Sequence, residues 1–266
     1  MRKIQSISSW QSLIRHLCTG SIRKEDNINN VALESTSSSA LEQQKYRESI
    51  LNYHQLFSMN ILVTGANGYL GQGVVKALLD NGHSVVAADF KTTYVDVRAE
   101  KKDCDLFSIE EPYTYFGKPD VLLHLAWRDG FVHYSENHIA DLPKHYHFLK
   151  QMVDAGIAKI SVMGTMHEIG FFEGSINENT PCHPMSLYGI GKDALRNCVA
   201  MMTNGKHTNW QWLRGYYIVG HSEFGCSIFS KITAAEKEGK AEFPFTMGQN
   251  QFDFIDYNDF CAQVAA

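Results

Sequence analysis

The chain has 266 residues, 44% hydrophobic and 20% charged, a composition typical of a globular protein with one sizeable core. Its formal net charge of -5 argues against nucleic acid as a partner, because binding a polyanion requires a basic surface. No apolar run approaches the roughly 20 residues that a membrane span requires, so we expect no membrane partner. Six scattered cysteines without a Cys-x-x-Cys pair indicate reduced thiols, which favours a cytoplasmic location and no zinc site.

The first 58 residues differ in composition from the rest of the chain. They are rich in Ser, Asn and Gln, and their first 24 residues contain basic side chains and no acid, with apolar residues near helical spacing. This pattern predicts a helical or loosely ordered N-terminal extension; an organelle transit peptide and a partner-binding helix are the alternatives. We place the functional domain at residues 59–266.

From Asn60 onward, short apolar runs alternate with amphipathic stretches. This alternation is typical of β-α-β units and predicts a doubly wound parallel α/β sheet, the Rossmann arrangement. In chain order, the predicted elements are strand 61–63, helix 73–81, strand 84–88, strand 121–125, helix 145–155, strand 160–163 and helix 188–202.

A glycine motif, Thr-Gly-Ala-Asn-Gly-Tyr-Leu-Gly at 64–71, lies between the first strand and the first helix. A pyrophosphate binds to backbone N–H groups at a helix N-terminus, where a Cβ would block its approach. We expect Gly65 to allow the tight turn, Gly68 the close approach, and Gly71 the packing of the helix on the sheet. The motif therefore predicts a dinucleotide site.

An acidic residue, Asp89, closes the second predicted strand, 18 positions after Gly71. A carboxylate there suits the adenosine ribose hydroxyls and would repel a 2'-phosphate. The sequence therefore favours NAD over NADP as the cofactor. Lys91, two residues later, keeps NADP open.

A phenol and an amine, Tyr188 and Lys192, stand four residues apart and hence on one face of a helix. An ammonium near the ring lowers the pKa of the phenol and would let Tyr188 act as an acid or a base. A pair at this spacing also occurs by accident on protein surfaces. Its occurrence after the glycine motif favours the catalytic interpretation.

With these motifs in this order, the chain from about Met59 to its end resembles the extended short-chain dehydrogenase/reductases, the NAD-dependent epimerase/dehydratase family. The resemblance implies a Rossmann domain with a small C-terminal substrate-binding region, which would be minimal or incomplete here because family members generally continue further. It also implies redox chemistry at a carbinol or ketone carbon of a nucleotide sugar, and a homodimer.

The resemblance also assigns residues. Thr165, five residues before Gly170, would hold the substrate oxygen while Tyr188 exchanges its proton and Lys192 binds the nicotinamide ribose; a hydroxyl that caps a loop is the alternative for Thr165. The implied cofactor-binding residues are Gly65, Asn67, Gly68, Tyr69, Leu70, Gly71, Asp89, Asp105, Leu106, Leu125, Ala126, Tyr188 and Lys192. The implied substrate contacts are Trp127, Arg128, His167 and Arg214.

The chain departs from the family pattern at two places. Sugar-nucleotide dehydratases follow the catalytic Thr with Asp and Glu, but Met166 and His167 stand here, which favours a 4-ketoreductase or 4-epimerase over a dehydratase. Many members also place an Arg two residues before the Phe that corresponds to Phe254, where this chain has Phe252. That change favours a reductase of a non-nucleotide alcohol as an alternative, and a non-catalytic or truncated dinucleotide-binding protein is another.

Four histidines, His133, His138, His145 and His147, lie close together in the sequence. Their spacing is irregular, and no Cys or paired acid completes a metal-binding geometry. The sequence therefore predicts a solvated helix face at these positions and no metal site.

Overall fold

The computed structural model describes four ranges of the chain, residues 3–6, 58–221, 228–245 and 252–266. The chain divides into two compact units. One comprises residues 58–224 and 253–266, and the other comprises residues 1–57 and 225–252. The predicted domain 59–266 is therefore divided between both units, because residues 225–252 group with the N-terminal segment.

The strands in chain order are β1 (Lys3–Ser6), β2 (Asn60–Thr64), β3 (Ser84–Asp89), β4 (Glu100–Asp103), β5 (Val121–His124), β6 (Lys159–Thr165), β7 (Asn209–Gly215), β8 (Tyr217–Val219), β9 (Glu242–Phe245) and β10 (Phe254–Asp256). Six of them form one sheet in the order β4-β3-β2-β5-β6-β7, with every neighbouring pair parallel. Counted from β2, this is the order 3-2-1-4-5-6 of doubly wound sheets. The predicted Rossmann arrangement is confirmed.

The helices are α1 (Tyr69–Asp80), α2 (Pro112–Tyr115), α3 (Asn137–Ala140), α4 (Leu142–Asp154), α5 (Leu187–Thr203), α6 (Ile228–Lys237) and α7 (Tyr257–Ala265). Short 3-10 turns lie at Leu106–Ser108 and Met166–Glu168. The three helices predicted from periodicity are α1, α4 and α5, each somewhat longer than expected. Within the described ranges, no helix is long and apolar enough to cross a membrane.

The central strands are buried on both faces, so alternate residues enter two different cores. Ile61 and Val63 of β2 belong to the core that α1 and α7 cover. Leu62, between them, belongs to the core that α4 and α5 cover on the other face. Continuous apolar runs at β2 and β5 were therefore a reliable signal for buried parallel strands.

The segment at 253–266 completes the first of these cores. β10 pairs in parallel with β8, and Tyr257, Phe260 and Cys261 of α7 are buried against α1. A Cβ on Gly73 of α1 would lie 2.5 Å from the Tyr257 hydroxyl, so the glycine allows the two helices to approach. The C-terminal segment 253–266 thus supports the dinucleotide-binding unit itself.

The other unit is described only in part. β1 pairs antiparallel with β9, with Lys3 opposite Phe245, and Ile232 and Ala235 of α6 are buried. Four residues of the N-terminal extension therefore form a strand where the sequence predicted a helix or loose order. The remainder of the predicted extension up to Phe57 lies outside the described residues.

Candidate active site

The crevice at the carboxyl ends of β2 and β5 is the point where the strand order reverses, which is the usual ligand position in such sheets. The backbone N–H of Leu125 donates to the carbonyl of Thr64 across this point. A Cβ on Gly65 would lie 2.6 Å from the backbone nitrogen of Ala126. The glycine loop and the end of β5 are therefore in direct backbone contact at 64–65 and 125–126.

The glycine loop has the geometry that its sequence predicts. Gly65 has φ +69°, a conformation that favours glycine, and a Cβ on Gly71 would lie 2.2 Å from the Gly65 carbonyl oxygen. Gly68 is the N-cap residue of α1. Apart from its chain neighbours, the Gly65 carbonyl oxygen is the one atom near a Cβ placed on Gly68, at 3.2 Å, and the rest of the surrounding space is open. Because the first turn of α1 has no side-chain cap and no acid, its N–H groups can receive an anion.

Asp89, at the end of β3, holds the glycine loop. Its Oδ2 accepts from the backbone N–H of Asn67 at 3.0 Å, and its Oδ1 accepts from that of Phe90 at 2.8 Å. The Asn67 side chain in turn accepts from the backbone N–H of Tyr94 at 2.7 Å. Lys91, which kept NADP open in the sequence, forms an exposed ion pair with Asp103 at 3.7 Å.

Other residues of the predicted cofactor set have structural partners. The Tyr69 hydroxyl donates to the Gly220 carbonyl at 2.9 Å, and Leu70 packs against the first core. Asp105 caps the 3-10 turn by accepting from Phe107 N–H and the Ser108 hydroxyl, while Leu106 is buried. Contact of these four side chains with a cofactor stays a prediction.

Thr165 ends β6 and is buried beside Tyr188. Its side chain interacts with the Tyr188 phenol and lowers the pKa of that phenol, and its Oγ1 accepts from the backbone N–H of His167 at 3.3 Å. The hydroxyl therefore caps the following 3-10 turn, which was the alternative interpretation of Thr165, and contacts the phenol at the same time. The two interpretations describe one arrangement.

The start of α5 brings Tyr188 to that position. Ser186 caps the helix by accepting from Gly189 N–H at 3.1 Å, and Tyr188 N–H donates to the His133 carbonyl at 3.0 Å. A Cβ on Gly189 would lie 2.3 Å from the His167 carbonyl, and one on Gly191 would lie 2.8 Å from the His138 carbonyl. The two glycines around Tyr188 thus let α5 touch both neighbouring segments.

The acidity of Tyr188 differs from the sequence-based prediction. Burial raises the pKa of its phenol to about 12, and the hydrogen bond with Thr165 lowers it only in part. We predicted that Lys192 would lower this pKa, but the Lys192 ammonium donates instead to the Met163 carbonyl at 2.7 Å. The phenol is therefore protonated at neutral pH.

Lys192 is a charged side chain that is almost fully buried. Its ammonium lies 4.0 Å from the ring centre of Trp127, a residue in the loop that follows β5. Burial lowers the pKa of Lys192 to about 7, since the charged form is poorly solvated there. The cation–π contact and the Met163 carbonyl partly compensate for that loss of solvation.

The prediction of a solvated histidine face is wrong for two of its four members. His138 and His145 are buried, while His147 is exposed and His133 is half-buried. His145 Nδ1 lies 2.9 Å from Nε2 of His124, whose Nδ1 lies 2.7 Å from the Thr64 hydroxyl. Burial lowers the pKa of His145 to about 3 and holds that of His124 well below its usual value, so both imidazole rings are neutral. Among the described residues, no group of three or more potential ligands could hold a metal ion.

Three imidazole rings surround the Tyr188 phenol. The ring centres of His133, His138 and His167 lie 5.6, 5.1 and 5.5 Å from that of Tyr188. His133 and His167 also contact each other, with centres 4.1 Å apart. Burial lowers the pKa of His167 to about 4, which leaves a neutral ring at physiological pH. His133 was missed as a candidate site residue because its place beside Tyr188 depends on the path of a loop.

The predicted substrate contacts next to β5 have partners of their own. Trp127 donates through Nε1 to His138 Nδ1 at 3.0 Å and stacks on His145 with ring centres 4.5 Å apart. Arg128 is exposed and pairs with Asp141 at 2.7 Å. Trp127 is therefore part of the wall behind Lys192, while Arg128 lies at the surface.

Arg214, the fourth predicted substrate contact, pairs with a residue that the sequence analysis did not select. Its guanidinium binds the carboxylate of the fully buried Glu168 at 3.0 Å. The spacing Thr165-x-x-Glu168 is a capping-box pattern, and this pattern in the sequence could have identified Glu168 as a partner of Thr165. The ion pair gives Arg214 a structural role, and its contact with a substrate stays a prediction.

Comparison with known proteins agrees with this geometry. Residues 61–266 match the model of the NAD dependent epimerase/dehydratase family. The chain belongs to this family. The resemblance drawn from the glycine motif and from Tyr188 and Lys192 is thereby confirmed.

Relatives within the family are enzymes of nucleotide sugars by name. The chain is 44% identical over 214 residues to a dTDP-6-deoxy-L-talose 4-dehydrogenase (NAD(+)) of Aggregatibacter actinomycetemcomitans, covering 77% of this chain and 78% of that protein. Its fold is similar to that of the UDP-glucose 4-epimerase from Thermotoga maritima with UDP-glucose (TM-score 0.67, 22% identity, 76% of this chain and 71% of that chain). It is also similar to UDP-glucuronic acid 4-epimerase from Bacillus cereus with UDP-glucuronic acid and NAD (TM-score 0.66, 22% identity, 76% and 71%).

Proposed function

We propose that this chain is an NAD-dependent oxidoreductase that acts at the C4 carbinol or ketone carbon of a nucleotide sugar. A dTDP-linked 6-deoxyhexose is the favoured substrate, because the relative at 44% identity is named as a dehydrogenase of such a sugar. The observation that carries the proposal is the buried side chain of Thr165, which interacts with the Tyr188 phenol, with Lys192 one helical turn away.

The glycine loop and Asp89 fit a bound NAD. The open space beside Gly68 and the uncapped first turn of α1 suit the diphosphate, and the Asp89 carboxylate suits the adenosine ribose. Lys91, the residue that kept NADP open, pairs with Asp103 at the surface, which supports NAD over NADP. When bound, NAD supplies a nicotinamide ring that accepts or donates a hydride.

The chain's own part in the reaction is the movement of a proton. A phenol whose pKa is about 12 is protonated at neutral pH and can donate to the oxygen of a ketone that is being reduced. The Thr165 hydroxyl, already bonded to the phenol, can stabilise the resulting tyrosinate. Lys192 adds a positive charge under the site when it is protonated. In the opposite direction the tyrosinate accepts the proton of the C4 hydroxyl while the hydride leaves for NAD, so the same groups serve a 4-ketoreductase and a 4-dehydrogenase.

Two neutral imidazoles at the phenol suit the recognition of sugar hydroxyls. Neutral His133 and His167 each offer one hydrogen-bond donor and one acceptor, as a hydroxyl requires. We include His167, with Trp127, Arg128 and Arg214, among the proposed substrate contacts and add His133. Met166 cannot transfer a proton, which supports redox chemistry without dehydration.

A 4-epimerase is the second candidate, since the similar structures bear that name. The two activities differ in their net chemistry. A dehydrogenase converts NAD to NADH in step with the product, whereas an epimerase returns the hydride to the same carbon and shows no net change in cofactor.

The test is to incubate the full chain with NAD or NADP and a panel of dTDP-, UDP- and GDP-linked hexoses and simple alcohols. We expect NADH to accumulate with a dTDP-linked 6-deoxyhexose and not with the Tyr188→Phe variant. Epimer formation without NADH would support the epimerase. Thermal stabilisation by NADH without turnover of any compound would support a non-catalytic dinucleotide-binding protein, and turnover of a simple alcohol alone would replace the nucleotide sugar.

The cytoplasmic location and the homodimer are further proposals, drawn from the cysteine pattern and from the family resemblance. Light scattering during gel filtration would measure the mass of the particle in solution. A mass of one chain at working concentration would overturn the homodimer.

A further inference from the structure

A fully buried carboxylate, that of Glu168, lies directly behind Thr165. Its Oε1 accepts from the backbone N–H of Thr165 at 2.7 Å. Both of its oxygens accept from Nε1 of Trp212, at 3.0 and 2.9 Å, and Oε2 accepts from Nε and Nη2 of Arg214, at 3.1 and 3.0 Å. These donors, on β6 and β7, bind both oxygens of the carboxylate.

The sheet places these partners on one side. Trp212 and Arg214 stand two residues apart on β7 and therefore project from the same face. In the β6–β7 register, Gly164 lies opposite Arg214, and a Cβ on Gly164 would lie 2.1 Å from Nε1 of Trp212. The absence of a side chain at Gly164 thus opens the path between Trp212 and Glu168.

Such an arrangement is a poor means of gaining stability. Removing a carboxylate and a guanidinium from water costs several kcal/mol, and well-packed apolar side chains in their place are often as stable. What the ion pair can supply is a fixed geometry. Here the geometry that it fixes is the backbone of Thr165, whose hydroxyl contacts the Tyr188 phenol.

We propose that Glu168 is a positioning residue, which holds the Thr165 hydroxyl in line with the Tyr188 phenol through the Thr165 backbone. This inference rests on the proposed catalytic roles of Thr165 and Tyr188. Glu168 itself is fully buried, so it acts through Thr165 and not by contact with substrate or cofactor.

The charge of Glu168 also acts on the groups around it. It raises the pKa of both Tyr188 and Lys192, because a nearby negative charge favours the protonated form of each. Five other titratable or charged groups face Glu168. Arg214 lies on β7, Tyr216 follows β7, and α5 contributes Tyr188, Lys192 and Arg196. The rings of His133, His138 and His167 face Tyr188 on its other sides.

The test compares Glu168→Gln with wild type in the full chain loaded with NAD. Glutamine keeps the length of the side chain but loses the charge that binds Arg214, so the acceptor for Thr165 N–H is no longer held in place. We expect kcat to fall about tenfold or more while KM for the cofactor stays within about twofold, because misplacement affects the chemical step rather than binding. We also expect the pH profile of kcat to move to lower pH, since the pKa of Tyr188 falls. A matched control is Asp154→Asn, which removes the charge of a surface ion pair with Lys150 and should change neither quantity.

A wild-type kcat and pH profile in Glu168→Gln would overturn the proposal. So would a loss of kcat that follows a fall in melting temperature with no movement of the pH profile, because that outcome indicates a purely structural role. If Glu168→Gln does not fold, Glu168→Asp is the substitute variant. Its shorter side chain retains the charge, so kcat should fall while the pH profile stays in place. An unchanged kcat in Glu168→Asp would overturn the proposal. Full activity in Thr165→Val and Tyr188→Phe would instead reject the proposed function.

Discussion

The Lys192 ammonium donates a hydrogen bond of 2.7 Å to the Met163 carbonyl, which ties α5 to β6 under the crevice. In the folded protein, burial lowers the pKa of this lysine from its usual 10.5 to about 7. Between these two values the unfolded chain binds more protons than the folded one. The contribution of Lys192 to the free energy of unfolding therefore rises with pH through this window.

This linkage gives the first prediction, for Lys192→Met. From about pH 7 to about pH 10, wild type should gain stability relative to the variant by up to about 1.4 kcal/mol per pH unit. Below about pH 7 the difference between the two proteins should be constant, because Lys192 is then protonated in both states. Urea unfolding at a series of pH values measures this difference, and the same difference at every pH would contradict the prediction.

The second prediction concerns the phenol itself. Tyr188→Phe should lower kcat by roughly 10²- to 10⁴-fold, the usual contribution of a general acid or base. The dissociation constant for NAD should stay within about twofold, since Phe retains the ring between the histidines. Calorimetry measures the binding, and steady-state assays measure kcat. Activity near the wild-type level would show that another group moves the proton.

The third prediction separates the two roles of the Thr165 hydroxyl. Thr165→Val removes both the cap of the 3-10 turn and the bond to Tyr188, so kcat should fall about 10²-fold and stability by about 1 kcal/mol. Thr165→Ser keeps the hydroxyl and should restore most of both quantities. If Ser and Val behave alike in kcat, the hydroxyl has no part in the reaction.

Much of the fold could be predicted because local patterns determine it. Apolar runs marked β2, β3, β5 and β6, and the glycines at 65–71 marked the turn into α1. β4 was missed because its sequence, Glu-Lys-Lys-Asp, has no apolar alternation, and it forms an exposed edge of the sheet. Pairing with β3 through the backbone creates this strand, and backbone pairing leaves no mark on side-chain pattern.

The candidate site was predicted as far as its residues follow one another in motifs. Thr165 lies beside Tyr188, and Lys192 lies one helical turn from Tyr188, while the catalytic roles that the resemblance implies stay a prediction. The burial of His138 and His145 and the carboxylate of Glu168 depend on which chain segments pack together, and spacing along the sequence does not determine that. The same holds for the pKa of Tyr188, because burial raises it and the helical spacing to Lys192 does not reveal that burial.

The fourth prediction addresses the choice of cofactor through Asp89. Asp89→Asn keeps an oxygen that can accept from Asn67 N–H, so the glycine loop should hold its shape, but the negative charge is lost. A hydrogen bond to a charged group contributes about 1.5–3 kcal/mol, so KM for NAD should rise about tenfold or more. KM for NADP should fall, because the repulsion of the 2'-phosphate is relieved. Equal changes for both cofactors would place the adenosine ribose elsewhere.

The fifth prediction tests the packing of α7 on α1 through Gly73→Ala. Alanine favours a helix over glycine by about 1 kcal/mol, but here its Cβ would lie 2.5 Å from the Tyr257 hydroxyl and 2.6 Å from Cys261 Sγ. Tyr257 also accepts from Gly73 N–H at 2.9 Å, so both side chains would have to move. Overpacking of this kind costs about 1–3 kcal/mol, which outweighs the gain in propensity.

We therefore expect Gly73→Ala to lower the melting temperature by several degrees, at about 2–4 °C per kcal/mol for a chain of this size. Gly130→Ala is the matched control, because a Cβ there meets no atom within 4 Å and its φ is not positive. Calorimetric melting of the two variants beside wild type makes the comparison. A stabilised Gly73→Ala would mean that α7 leaves α1 without cost, and the C-terminal segment would then not be part of the core that supports the dinucleotide loop.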